Sequence, residues 1–280
     1  MKPPSVRLRK RSDSSLRKLK PYLDEINDEV EQAGYISSDP VQFMHMFSEK
    51  KDREIAGFLA ATMAWGRRDI VVSKVDELLE RMDYSPFEFV SNYRQSDYSN
   101  FDGFKHRTLK PVDIHGILLA LKTVYHTYSD FEAFWEMCYS KGINQQRPFL
   151  AVFHEEFLQR SSDLAKRTEK HVSNPEKGSP GKRLYMYLRW TIRKNSPVDT
   201  GIWSFMKPSE LLIPFDVHVA RQARRYGLLS RRSNDWKAVN ELTDTLKKLD
   251  PSDPARYDYA LFGIGALGHR LPVNFILNKV

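Results

Sequence analysis

Cysteine is almost missing from this 280-residue chain: Cys138 stands alone. A single thiol excludes an internal disulfide and any iron–sulfur cluster held by four cysteines of one chain, and it suits a reducing compartment. Cys138 falls in an apolar-periodic run that begins at Phe131, so it reads as packing. Metal-ligand spacing is lacking too. The eight histidines are scattered and no His-Glu-x-x-His occurs, so neither metal nor other cofactor is expected. No apolar stretch approaches membrane-spanning length, and residues 1–20 hold no apolar core of a secretory signal. Convincing β-alternation and internal repeats are also wanting.

What remains is helix after helix, punctuated by caps and prolines. The pattern predicts helices from Pro21 to Ala33, from Asp39, from Asp52 through Met63, from Asp69 through Met82 and from Pro86. Residues 95–111 read as a loop. Further helices are predicted from Asp113, Asp130 and Pro148, across Lys182–Trp190, from Asp216 to Tyr226, from Asn234 to Leu249 and from Pro254 to Leu267. The fold class is all-α. The organisation is a basic, mobile arm over 1–20 followed by one helical unit over 21–280.

Charge is concentrated in two places. Residues 1–20 hold eight Lys and Arg against Asp13 alone, and residues 177–232 hold twelve basic side chains against Asp199, Glu210 and Asp216. The chain carries only +8 in all, so the rest of the body is acidic. A basic stripe on an acidic body is an electrostatic footprint for phosphates. That stripe also carries two chemically suggestive residues. Lys182 opens a helix just after the glycine-marked stretch 174–181, and Asp216 follows Pro214 at the start of the next helix. Read without any relative, Asp216 is first of all a cap.

The segment Asp216-Val217-His218-Val219-Ala220-Arg221, followed by Arg224-Arg225-Tyr226-Gly227-Leu228, resembles the catalytic-aspartate segment of the helix-hairpin-helix-GPD DNA glycosylase superfamily. The run Asp52–Trp65 is similar to the early core helix of that fold, and Tyr257–Gly265 to its last. Within the superfamily, Lys182–Trp190 is most like a bacterial group of uncharacterised proteins and the archaeal 8-oxoguanine glycosylase branch. The resemblance spans roughly residues 40–270. It implies a two-lobed helical fold, with residues of about 50–160 in one lobe and the N-terminal piece plus 161–280 in the other.

It also implies an activity: a base-excision glycosylase acting on damaged double-stranded DNA, with the lysine attacking C1′, a Schiff base forming and β-elimination following. Oxidised purines such as 8-oxoguanine are the implied substrates, in the cytoplasm at the nucleoid. Lys182 matches the nucleophile, Asp216 its partner and His218 a supporting position. Lys177, Gly178, Gly181, Arg183, Arg221, Arg224, Arg225, Arg67 and Arg68 are candidate DNA contacts. Trp65, Trp190 and Trp203 are candidates for the base pocket.

The chain departs from the family pattern in the stretch Asn174–Gly181, where relatives carry a Leu-Pro-Gly-Val-Gly hairpin. The interval from Lys182 to Asp216 is also longer than most of the superfamily uses. Lys194, closer to Asp216 in sequence, is therefore a rival nucleophile, and use of Asp216 with water alone is a further alternative. A binding protein that keeps the fold without the chemistry is the other class of function left open.

Overall fold

The computed structural model describes residues 8–161 and 166–279. Among them lie twelve α-helices: α1 (Asp13–Val30), α2 (Gln42–His45), α3 (Lys50–Met63), α4 (Arg68–Glu80), α5 (Pro86–Asn92), α6 (Pro111–Thr127), α7 (Phe131–Gln145), α8 (Phe149–Gln159), α9 (Lys182–Ile192), α10 (Val217–Arg225), α11 (Trp236–Lys247) and α12 (Tyr257–Ala266). Short 3₁₀ segments join several of them. The extended pairing among the described residues is an isolated bridge between His106 and Leu109, inside the stretch expected to be a loop. The fold is all-α.

Caps and prolines set most of the helix starts. Pro86 and Pro111 occupy first-turn positions, where a missing N–H costs nothing. Asp130, Asp216 and Asp235 cap α7, α10 and α11 with their side chains. The cap of α11 is thus Asp235, one residue beyond the expected Asn234. Asp52 does not cap α3. It lies in the first turn and accepts from Phe87 N at 2.8 Å, which binds α3 to the start of α5.

Two sets of helices share one continuous core. In the first, α4 and α5 pack on α3, α6 lies against α5 and α8, and α7 pairs with α8. In the second, α1 and α10 both pack on α12. Helix α9 crosses between them: it packs on α3, and its Arg189 reaches Asp258 and Tyr259 of α12.

The expected mobile arm is largely absent from the described residues. Helix α1 begins at Asp13, runs through Pro21, and buries Leu16, Leu19, Leu23, Ile26 and Val30. Ahead of it, Arg11 N donates to Gly227 O at 3.0 Å, Arg11 Nε donates to Tyr226 O at 2.7 Å, and Arg9 N donates to Asn278 Oδ1 at 2.9 Å. The composition of residues 8–20 suggested solvation because it is dominated by lysine and arginine. The structure instead uses the leucines spaced along one helical face to cover α12. Residues 1–7 lie outside the described residues.

The core holds one buried carboxylate that organises three helices. Glu54 of α3 is fully buried and accepts from Tyr125 Oη (2.9 Å), Phe131 N (3.1 Å), Glu132 N (3.2 Å) and Trp203 Nε1 (2.7 Å). It thereby satisfies the free amides at the start of α7 from outside that helix.

Because α1 is part of the core, Leu19→Ala is expected to lower the unfolding free energy by about 2–5 kcal/mol, the usual range for a buried leucine. Chemical denaturation measures this, and a change below about 0.5 kcal/mol, the scale of a surface substitution, would mean the helix is undocked in solution.

Candidate active site

Helix α9 starts with a sharp backbone turn. Gly178 and Gly181 both have positive φ (85° and 68°), and Gly181 is the residue that begins α9. A side chain at Gly181 would meet Leu150 and Tyr185 at close range as well as strained backbone. The turn delivers Lys182 into a cavity of about 1320 Å³. Two turns of helix then repeat the same face: Lys182, Met186 and Arg189 all line the wall.

The opposite wall is acidic. Asp216 caps α10, accepting from His218 N at 2.8 Å and Val219 N at 2.9 Å, both through Oδ1, which leaves Oδ2 to the cavity. Asp258 of α12 and Asp39, just ahead of α2, complete the acidic side. The Lys182 amine donates to Ala64 O at 3.3 Å. Lysine 182 retains partial accessibility because it faces the cavity, but burial holds its amine below the ordinary lysine value. Asp216, Asp258 and Asp39 oppose that fall and Arg183 assists it. Burial raises the Asp258 carboxyl to about 7 although a guanidinium lies against it.

Aromatic and basic groups form the remainder. Trp65, Tyr35 and Phe262 line the cavity, and Arg68 sits 5.0 Å from the ring centres of both Tyr35 and Phe262. Arg68 also donates to Tyr35 Oη at 3.0 Å. Lys166, Lys170 and Lys177 bring positive charge to the same wall. Lys177 is 68 % exposed, with Glu169 at 3.9 Å. The wall is held by Asp113, fully buried on α6, which accepts from Arg167 at 2.7 Å and Thr168 at 2.7 Å.

Of the residues singled out in the sequence, Lys182, Asp216, His218, Lys177, Arg68 and Trp65 come together here, along with Arg183. His218 Nδ1 lies 3.0 Å from Gly265 O, tying α10 to the end of α12. Other expectations need correction. Trp190 and Trp203 do not line the cavity; both are fully buried in the core, and the Trp203 indole N–H is used by Glu54. Arg183 does not project toward solvent: its guanidinium donates to Thr62 O and His171 O and stacks near Trp65. Arg224 is likewise engaged, donating to Arg231 O, Ser233 O and Asn234 Oδ1. Arg67 is exposed but outside the cavity and paired with Asp69 at 2.6 Å. Arg221 and Arg225 lie on α10 away from the lining, Arg221 exposed and donating to Gly265 O at 3.3 Å, Arg225 near the Tyr226 ring. Lys194, the rival amine, is exposed at the far end of α9 and does not line the cavity.

Several site residues escaped the sequence reading, among them Asp39, Tyr35, Phe262, Arg189 and Asp258. Arg189 is the third member of the Lys182 face, and helical spacing alone marks it. Asp258 is an acid inside the otherwise apolar run Tyr257–Ala266, an anomaly that signals a buried role.

Apart from Tyr35, the residues that line the cavity all fall within a family match over residues 39–267. The chain belongs to the family described as Protein of unknown function (DUF2400). No curated protein and no solved structure matches it. The family segment includes Lys182, Asp216 and Asp258, and leaves out α1, which covers α12 from outside the matched region.

Asp216 has a capping role separable from any chemistry. Asp216→Ala is expected to cost about 1 kcal/mol of stability while Asp216→Asn, which keeps a cap acceptor, costs little. Thermal or denaturant unfolding of the two variants distinguishes them, and equal losses would mean the cap contributes nothing specific.

Proposed function

We propose that this protein is a base-excision DNA glycosylase of the helix-hairpin-helix-GPD type, with lyase activity through Lys182 and with damaged duplex DNA as substrate. The observation that carries the reading is the meeting of a desolvated amine and the free oxygen of a capping aspartate in one roomy cavity, from positions distant in the chain. A lysine attacks only when neutral, and burial favours that form. Lys194, exposed and outside the cavity, has neither advantage.

Each step finds a group suited to it. The Lys182 nitrogen bonds to C1′ as the C1′–base bond breaks and its electron pair leaves with the base. The C1′–O4′ bond then opens to give the Schiff base, and loss of a proton from C2′ expels the 3′ phosphate. Positive charge developing at the sugar faces Asp216 Oδ2. An extruded base needs stacking surfaces, for which Trp65, Tyr35 and Phe262 are available. Oxidised purines such as 8-oxoguanine are the proposed lesions, and the nucleoid is the proposed place of action. No helix among the described residues is long and apolar enough to cross a membrane.

The turn over 174–181 also suits a protein that binds without cutting, since its sequence departs from the Leu-Pro-Gly-Val-Gly hairpin while Gly178 stays open on its outer side. Borohydride trapping on a duplex carrying 8-oxoguanine separates the two readings. The expected result is a covalent adduct with the wild type, lost in Lys182→Ala and strongly reduced in Asp216→Asn. No adduct and no base release from a panel of lesions would leave only the binding reading, and an undiminished adduct in Lys182→Ala would remove Lys182 as the nucleophile.

Phosphate contact makes a separate prediction. Lys177→Ala is expected to weaken duplex binding irrespective of sequence and to reduce the slope of log affinity against log salt by about one. An unchanged slope in a salt titration would place the backbone elsewhere.

A further inference from the structure

Asp258 has no counterpart in the pairing of Lys182 with Asp216, yet it occupies the same cavity. Its side chain is nearly buried and is fixed on one side by Arg189, which also donates to Tyr259 Oη at 3.0 Å and lies 3.4 Å from Asp199. Arg189 stands two turns beyond Lys182 on the same face of α9, so the element that presents the amine also aims the carboxylate. The charged groups around Asp258 are Arg189 and Lys182 from α9, Asp199 behind Arg189, and Asp216 at the start of α10. Asp39 reaches Lys182 from the segment before α2. On the side of α12 that meets α1, Asp24 is taken by Tyr257 and Asp28 by Arg256.

Resting on the glycosylase reading, we propose that Asp258 is the proton relay of the site, taking a proton from Lys182 and returning it to the departing base. The amine leaves Ala64 O and turns within the cavity to Asp258; the ammonium N–H breaks and its proton moves to that carboxylate, which frees the nitrogen pair to form the bond to C1′. The C1′–base bond breaks with its pair on the base, and the proton held by Asp258 neutralises that anion, restoring the carboxylate. Asp216 is used otherwise: its Oδ1 caps α10, and its Oδ2 is the oxygen assigned above to the charge that develops at the sugar. The environment agrees with the geometry: burial drives the amine down and the carboxyl up, toward each other, as a pair exchanging one proton requires.

The test is single-turnover borohydride trapping of wild type and Asp258→Asn against pH, on an 8-oxoguanine duplex and on an abasic-site duplex, which has no base to expel. Asparagine keeps the shape, and Arg189 retains Asp199 and Tyr259. On the 8-oxoguanine duplex the variant is expected to lose about 100-fold at its plateau, the scale of one general acid. On the abasic duplex it stays close to wild type. Its acid limb moves to higher pH on both, because without Asp258 to take the proton Lys182 must lose it to solvent before it can attack. Equal losses on both duplexes, or an acid limb that stays in place or moves to lower pH as for a mere charged neighbour, would reduce Asp258 to a structural partner of Arg189 and leave the glycosylase reading standing. A wild type that traps neither duplex removes that reading and the relay together. One that traps the abasic duplex alone removes the relay, since no base expulsion then needs an acid.

Discussion

The structure is governed by the need to neutralise a basic helix placed in the interior. Helix α9 carries Lys182, Arg183, Arg189 and, at its end, Arg193 into a region where isolated charge is prohibitively costly. Each is met by partners from distant parts of the chain. Arg193 is nearly buried and pairs with Glu31 at 2.6 Å, with Asp253 at 2.8 Å and with Asp199. Arg189 takes Asp258 and Asp199, and Arg183 takes two backbone carbonyls. Lys182 has acidic neighbours without a direct ion pair, and its amine lies in the wall of the cavity.

This arrangement explains why the site and the fold are hard to separate. The acids that balance α9 come from the end of α1, from the loop after α9 and from the start and the end of the segment that leads into α12. Docking those elements closes the core, and the same docking forms the acidic wall opposite Lys182. Glu54 does the equivalent on the other side, drawing Trp203 inward and capping α7 from α3. A tryptophan that sequence suggested for base recognition is thereby committed to structure.

Solvent access then divides the basic residues by task. Lys177 remains open at the wall of the cavity, whereas Arg224 and Arg183 are drawn into backbone contacts. A positive stripe in the sequence is therefore not a uniform surface. Part of it offers charge outward, and part acts as internal crosslinks whose hydrogen bonds are satisfied by carbonyls and acids of the same chain.

Although Pro111, read as part of a loop, opens α6, the all-α class, the cap at Asp216, the helix start at Asp130 and the proline start at Pro86 were legible in the sequence because they depend on local backbone chemistry. So was the suspicion that Lys182 and Asp216 matter. Their shared cavity was not, nor the part played by Asp258 and Arg189, the burial of Trp190 and Trp203, or the docking of residues 8–20. Those depend on which faces of distant helices meet. Local pattern by itself determined where helices begin and which faces are apolar, since short-range hydrogen bonds and spacing carry that information. Only the tertiary structure decided which charges lose water together, because burial of an amine or a carboxylate is a property of everything packed around it.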